Sequence, residues 1–393
     1  MIVNHRLARQ GRIYPFWFQP RWRASPCKRT RQSNLTRRLC VGLAILIPAG
    51  LFARDFSAVD RALRAEAARA GQPAALIVIE ANSARRVYEF LSPELDGKNV
   101  FPPGSMAKPW SAAVLLKHRR ALGFDPGRSY QCTGRFYPAP FFTVTTSDRR
   151  VLNFQTDPDG REYLPCSRSG GHGRLALTDA LTHSCNAYFL SAVAGHASTF
   201  YRLYLNEWSL AESSAVITHD ATPRLALARS LPATRITPML ATAAAIGEGG
   251  AVRVSPGRAA QMFLALNNGG RLLALQNDGA GAGPRLVRRL QFAGPDLQQI
   301  RFALGRVAVN GTLNGFDQDL AKDHRQRLTI LAAKTGSATP YQRRYGSHGW
   351  LALDFRAASG REYVLIAFVL SGTGGQAARA FARHALLVLE SYL

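Results

Sequence analysis

A serine and a lysine three residues apart, Ser105-Met-Ala-Lys108, open a chemical argument in this 393-residue chain. On a helix, positions i and i+3 share a face, so the Ser105 hydroxyl lies within reach of the Lys108 amine. A neutral lysine can take the hydroxyl proton as the serine attacks a carbonyl. That needs a lowered lysine pKa, from burial or from a nearby positive charge, and Lys334 is a candidate for the charge. Ser184-Cys-Asn186 adds a second hydroxyl, to relay a proton to a leaving amine, and an amide, to hold the substrate backbone. Lys334-Thr-Gly-Ser337 adds a second amine and a hydroxyl that suit a substrate carboxylate. Gly336 there lets a substrate backbone come close. Backbone N–H groups of Ser105 and Ser337 suit an oxyanion hole. Taken together these groups describe acyl transfer through a serine ester.

Alone, each tripeptide is unremarkable: a solvated helix face, a turn or cap, and a strand ending in a polar turn. Lysine usage strengthens the reading. Of 50 basic residues only Lys28, Lys98, Lys108, Lys117, Lys322 and Lys334 are lysine. Two of these sit at the motif positions. Arginine would fail at 108, because a guanidinium does not shed its proton in a protein.

The flanking sequence supplies elements to position these groups. Asp55 to Ala70 reads as a helix, with Gly71 and Pro73 as its stop. Residues 74–80 and 86–91 read as a β-hairpin. Pro102-Pro103-Gly104 breaks the chain, so a helix begins at Ser105, with Pro109 tolerated in its first turns. Residues 110 to about 300 read as mostly helical and irregular, with loops at 247–251 and 279–283. Strands return at 327–334, 348–355 and 362–370, and an amphipathic helix closes the chain over 376–392. Strands at both ends with helices between them predict an α/β (α+β) fold, one sheet built from distant segments.

Formal net charge is +25, yet the arginines are scattered and no zinc-finger spacing or aromatic RNA-binding signature accompanies them. A nucleic-acid partner is not expected. Residues 1–38 are strongly basic, 39–53 are apolar, and no acidic residue precedes Asp55. This pattern predicts a signal peptide or membrane anchor, cleaved or retained, ahead of a domain at 55–393. That domain would face the periplasm. Cys132 and Cys166 bracket a Pro- and aromatic-rich stretch and form either a disulfide or two buried thiols, and Cys185 is expected to be packed. No Cys/His spacing along the chain suggests zinc, so neither a metal nor a cofactor is expected.

The three motifs, in this order, make residues 74–393 resemble the transpeptidase domain of penicillin-binding proteins. Supporting stretches are 101–110, 172–189, Ile236-Thr-Pro238 and His348-Gly-Trp350. The resemblance implies an antiparallel sheet flanked by helices (sheet parts about 74–108 and 325–393) and an all-helical subdomain (about 110–300). It also implies D-Ala-D-Ala stem peptides of peptidoglycan as substrate, Ser105 as nucleophile, and acylation by β-lactams. Lys108, Ser184, Asn186 and Lys334 would be catalytic, and Thr335, Gly336 and Ser337 would bind substrate. The acceptor is open between an amine and water, that is, transpeptidase or carboxypeptidase. No stretch before the motifs fits a glycosyltransferase domain, so a bifunctional enzyme is not expected.

Two other readings compete. A serine β-lactamase needs a deacylating group, and no Glu-x-x-Leu-Asn is present; the 207–212 segment is a poor substitute. A non-catalytic penicillin-binding sensor or assembly protein would keep the cleft without turnover.

Overall fold

The computed structural model describes residues 55–140, 142–210, 230–277, 283–323, 328–339 and 346–393. The expected basic and apolar segments at 1–54, with Cys27 and Cys40, and most of the 279–283 loop lie outside the described residues. Among the described residues no helix is long and apolar enough to cross a membrane.

Five strands form one antiparallel sheet: β1 (Ala74–Glu80), β2 (Arg86–Leu91), β3 (Thr329–Ala338), β4 (His348–Arg356) and β5 (Glu362–Val369). Their order is β3-β4-β5-β1-β2, so β1 pairs with both its hairpin partner β2 and the C-terminal strand β5. The sheet thus joins the two sequence ends, as expected.

The composition of β1 explains its position. Six of the seven residues in Ala-Ala-Leu-Ile-Val-Ile-Glu are buried. Side chains alternate across a strand, so both faces must be covered. Ala75, Ile77 and Ile79 enter one core, beneath α2 (Ala107–Lys117) and α5 (Pro256–Asn267). Ala74, Leu76 and Val78 enter the other, beneath α1 (Ser57–Arg69) and α7 (Arg379–Leu389). β5 splits the same way, with Val364, Ile366 and Phe368 on the first face and Leu365, Ala367 and Val369 on the second.

The stretch between β2 and β3 departs from expectation, because it is not all-helical. Helices α3 (Leu177–Thr182), α4 (Asn186–Ala194) and α6 (Gly294–Asn310) lie there, but so do three small antiparallel sheets. Their strands run two to four residues, for example Tyr130–Cys132 with Gly173–Leu175 and Arg135–Phe136 with Glu162–Pro165. Strands this short carry no usable alternation in sequence.

Candidate active site

Ser105 sits in a 3₁₀ turn, Gly104–Met106, that leads directly into α2. Its side chain is half-buried. Hydrogen bonds to β4 and to the 247–250 loop hold this turn beside the edge strand β3. Trp350 Nε1 donates to Pro102 O at 2.9 Å, and Gly104 N donates to Gly247 O at 3.1 Å. Gly104 has φ +53°, and a Cβ there would collide with the Ser337 carbonyl. A Cβ on Gly336 would in turn come within 2.8 Å of the Pro103 carbonyl oxygen. Both glycines are needed for the Ser105 turn and the third motif to touch.

Ser184 lies between α3 and α4 with φ +56°. Cys185 N bonds Ala180 O at 2.8 Å and Ser184 N bonds Leu181 O at 3.2 Å. This 6→1 and 5→2 pair closes a Schellman turn, in which the left-handed position is usually glycine. A serine there costs about 1 kcal/mol or more of backbone strain. The strain turns the hydroxyl and the following amide inward. Ser184→Gly and Ser184→Ala both remove the hydroxyl, but only glycine relieves the strain. Thermal melts are expected to show the glycine variant more stable than the alanine variant by about 1 kcal/mol, with both slow to acylate; equal stability would mean the turn is unstrained.

The polar side chains form a continuous line. Lys108 Nζ lies 2.8 Å from Ser105 Oγ, 3.0 Å from Ser184 Oγ, 2.6 Å from Ser184 O and 2.6 Å from Asn186 Oδ1. Lys334 Nζ reaches the same Ser184 Oγ from the other side at 2.9 Å and Thr335 O at 2.6 Å. Ser184 Oγ therefore bridges the two amines. An ammonium has three N–H groups, and Lys108 has four oxygen neighbours. The Ser184 carbonyl and the Asn186 amide oxygen can only accept. A neutral amine gives them its two N–H groups and turns its one lone pair to one of the hydroxyls.

Burial shifts both amines toward that neutral form. Both lysines are fully buried. Burial lowers the Lys108 pKa to about 8, against opposing pulls from the Cys166 and Cys185 thiols and the Glu248 carboxyl. The Lys334 pKa falls well below the ordinary value, first through burial and then through the charge of Lys108. Burial, rather than the expected charge of Lys334, is what depresses Lys108.

The remaining motif residues are placed as follows. Thr335 is buried, and its Oγ1 is 2.6 Å from Thr312 Oγ1. Ser337 is exposed, and its Oγ accepts from Gly374 N at 3.1 Å. Asn186 Nδ2 donates to Pro165 O at 3.0 Å while its Oδ1 accepts from Lys108 Nζ, so the side chain helps to orient that amine. Cys185 is fully buried, and its sulfur accepts from Tyr188 N at 3.4 Å at the start of α4. Cys132 and Cys166 are free thiols, so the disulfide alternative is not formed.

Glu248 and Thr312 were not singled out from sequence. Glu248 Oε2 accepts from Thr339 N at 3.0 Å, tying the 247–250 loop to the chain just past β3. Burial raises its pKa to about 7. The only sequence signal for it was an acidic residue inside a glycine loop.

No protein-family model matches this chain, and no curated protein sequence matches it. Solved structures do. A chain of a peptidoglycan synthase complex is 18% identical, with a TM-score of 0.61 over 86% of this chain and 60% of that one. The TP domain of Burkholderia pseudomallei penicillin-binding protein 3 is 17% identical, with a TM-score of 0.59 over 86% and 95%. The D,D-transpeptidase domain of a peptidoglycan glycosyltransferase from Eggerthella lenta is 16% identical, with a TM-score of 0.57 over 86% and 82%. This chain therefore spans about three fifths of the first of these relatives and most of the other two. The two-faced antiparallel sheet, with the Ser105 turn packed against its β3 edge, is the fold of penicillin-binding protein transpeptidase domains.

Proposed function

We propose that this protein is a serine D,D-acyltransferase acting on the D-Ala-D-Ala end of peptidoglycan stem peptides. The observation that carries this reading is the unbroken path Ser105 Oγ, Lys108 Nζ, Ser184 Oγ, Lys334 Nζ, each step within 3.0 Å.

Lys108 takes the Ser105 proton as the hydroxyl oxygen attacks the penultimate D-alanine carbonyl. Backbone N–H groups of Ser105 and Ser337 hold the resulting oxyanion. Ser184 passes a proton to the departing D-alanine amine, leaving an ester on Ser105. Lys334 and Thr335 bind the terminal carboxylate, and the stem peptide lies along the β3 edge as an added strand. An amine or water then releases the acyl group. A β-lactam, whose carbonyl and carboxylate mimic those of the peptide, acylates the same serine. The domain would work on the periplasmic side of the inner membrane, tethered or released by the segment before residue 55.

Incubation of the full chain with a pentapeptide stem should release free D-alanine, detected by mass spectrometry, and Ser105→Ala should release none. Rapid hydrolysis of a chromogenic cephalosporin with no D-alanine release would favour a β-lactamase instead. Penicillin labelling without either turnover would favour a binding-only role.

A further inference from the structure

Four metal-ligating side chains from four separate segments converge behind the second motif. Cys132 ends the strand Tyr130–Cys132, Cys166 follows the strand Glu162–Pro165, His172 precedes Gly173–Leu175, and Cys185 lies within Ser184–Asn186. Their donor atoms all lie within 4.8 Å of one another. All three cysteines are buried.

The spacing is specific. Zinc takes thiolate sulfur at about 2.3 Å and imidazole nitrogen at about 2.0–2.1 Å, so a tetrahedron around it has edges of about 3.8 Å between sulfurs and about 3.5 Å between sulfur and nitrogen. Cys166 Sγ is 3.7 Å from Cys185 Sγ. His172 Nδ1 is 3.5 Å from Cys166 Sγ and 3.6 Å from Cys132 Sγ. A disulfide would need sulfurs about 2.0 Å apart. Backbone amides point at the sulfurs as they do at thiolates, with Asn186 N 3.2 Å from Cys166 Sγ and Tyr188 N 3.4 Å from Cys185 Sγ.

The surrounding backbone is built to bring these groups together. Gly134 has φ +88° and Gly171 has φ +79°. A Cβ on Gly171 would collide with the Cys132 carbonyl, and one on Gly134 with the Ser169 carbonyl. Two glycine turns are thus pressed against each other to deliver Cys132 and His172. The local strands, two to four residues long, supply little hydrophobic hold of their own.

We propose that Cys132, Cys166, His172 and Cys185 bind one zinc ion in tetrahedral coordination, and that this ion fixes the Ser184–Asn186 turn beside Lys108. Soft sulfur and imidazole donors in a tetrahedron select zinc over oxygen-loving cations. Four protein ligands leave no open position, so the ion is structural. Cys185 sits between the two residues that bond Lys108, and through the metal it is tied to three other segments. The expectation that no metal set is present is revised accordingly. The ligands lie too far apart along the chain for a spacing pattern, and only the fold brings them together.

The test uses the full chain purified under reducing conditions. Elemental analysis should find about one zinc per chain. Cobalt(II) exchanged into the protein should show sulfur-to-metal charge transfer and the visible bands of tetrahedral coordination. Cys132→Ser and His172→Gln, neither of which touches Ser105 or either lysine, should each weaken zinc binding by about 100-fold or more, since outer-sphere partners of a metal are already worth about 10–100-fold. Should those variants fold poorly, the wild type itself supplies the readout. Stripping zinc with a chelator should lower its melting temperature and slow fluorescent-penicillin labelling, and zinc but not magnesium should restore both. A folded protein that binds no zinc, a cobalt form without sulfur charge transfer, an iron chromophore, or a disulfide among these cysteines would overturn the site. Labelling that is unchanged on zinc removal would overturn its hold on the turn. The zinc and cobalt readouts do not depend on Ser105 chemistry, so they stand or fall apart from the proposed activity.

Discussion

Replacing Lys108 by arginine is expected to slow acylation of Ser105 by about 10³-fold, within the range a positioned general base contributes. Positive charge is kept at the position, but the ability to accept a proton is lost. The wild type should show the complementary pH dependence. Below its folded pKa of about 8 the Lys108 amine is protonated and cannot take the serine proton. The acylation rate should therefore climb as pH rises through about 8 and then level off. The arginine variant should stay slow at every pH. The larger side chain could disturb the buried site, so Lys108→Ala with added methylamine is the companion measurement. A free amine entering the space should recover part of the rate. An arginine variant with wild-type rate, or a flat wild-type profile, would remove Lys108 from the role of base.

Stability follows the same titration with the opposite emphasis. A lysine whose folded pKa lies below its unfolded value of 10.5 releases its proton earlier when folded. Between about 8 and 10.5 the unfolded chain binds more protons, so the contribution of Lys108 to stability grows with pH. Below that window the site bears the cost of a buried ammonium, offset by the oxygen atoms around it.

Gly104→Ala is the second change with a large expected effect. The backbone there has φ +53°, and the added methyl would strike the Ser337 carbonyl. Left-handed strain and overpacking each cost on the order of 1–3 kcal/mol, so a loss of about 3 kcal/mol or more is expected in a denaturant melt. Acylation should fall as well, because the clash pushes the nucleophile turn away from the strand that carries Lys334. Gly97→Ala is the control. The new methyl there would meet only Leu91 Cδ1, at an ordinary 3.8 Å. Equal effects from the two substitutions would show that the Ser105 turn is not seated on β3 as described.

The parts of this molecule legible in the sequence are those whose signals are local. The run from Ala74 to Glu80 read as a strand, and the break at residues 81–85 set up its hairpin with β2. The serine–lysine interval of the first motif needed only helical geometry to predict contact. Other features were hidden because their causes are tertiary. Ser184 holds a left-handed turn with no glycine to announce it, since Lys108 and Lys334 grip its hydroxyl from both sides. The bond from Asn186 Nδ2 to the Pro165 carbonyl joins segments twenty-one residues apart and has no local signal. Glu248 acquires its role only when the loop at 247–250 meets the chain at Thr339. The cysteines gave no zinc spacing because their meeting point is set by two glycine turns and the start of a helix, far apart in the chain.

The central claim is that Ser105 forms an ester through the buried line of amines and hydroxyls. Intact-mass spectrometry of the full chain after exposure to benzylpenicillin tests it most directly. The account predicts a single penicilloyl adduct per chain, mapped by peptide digestion to Ser105 and absent from Ser105→Ala. An adduct on any other residue, or an undiminished adduct on the alanine variant, would contradict it.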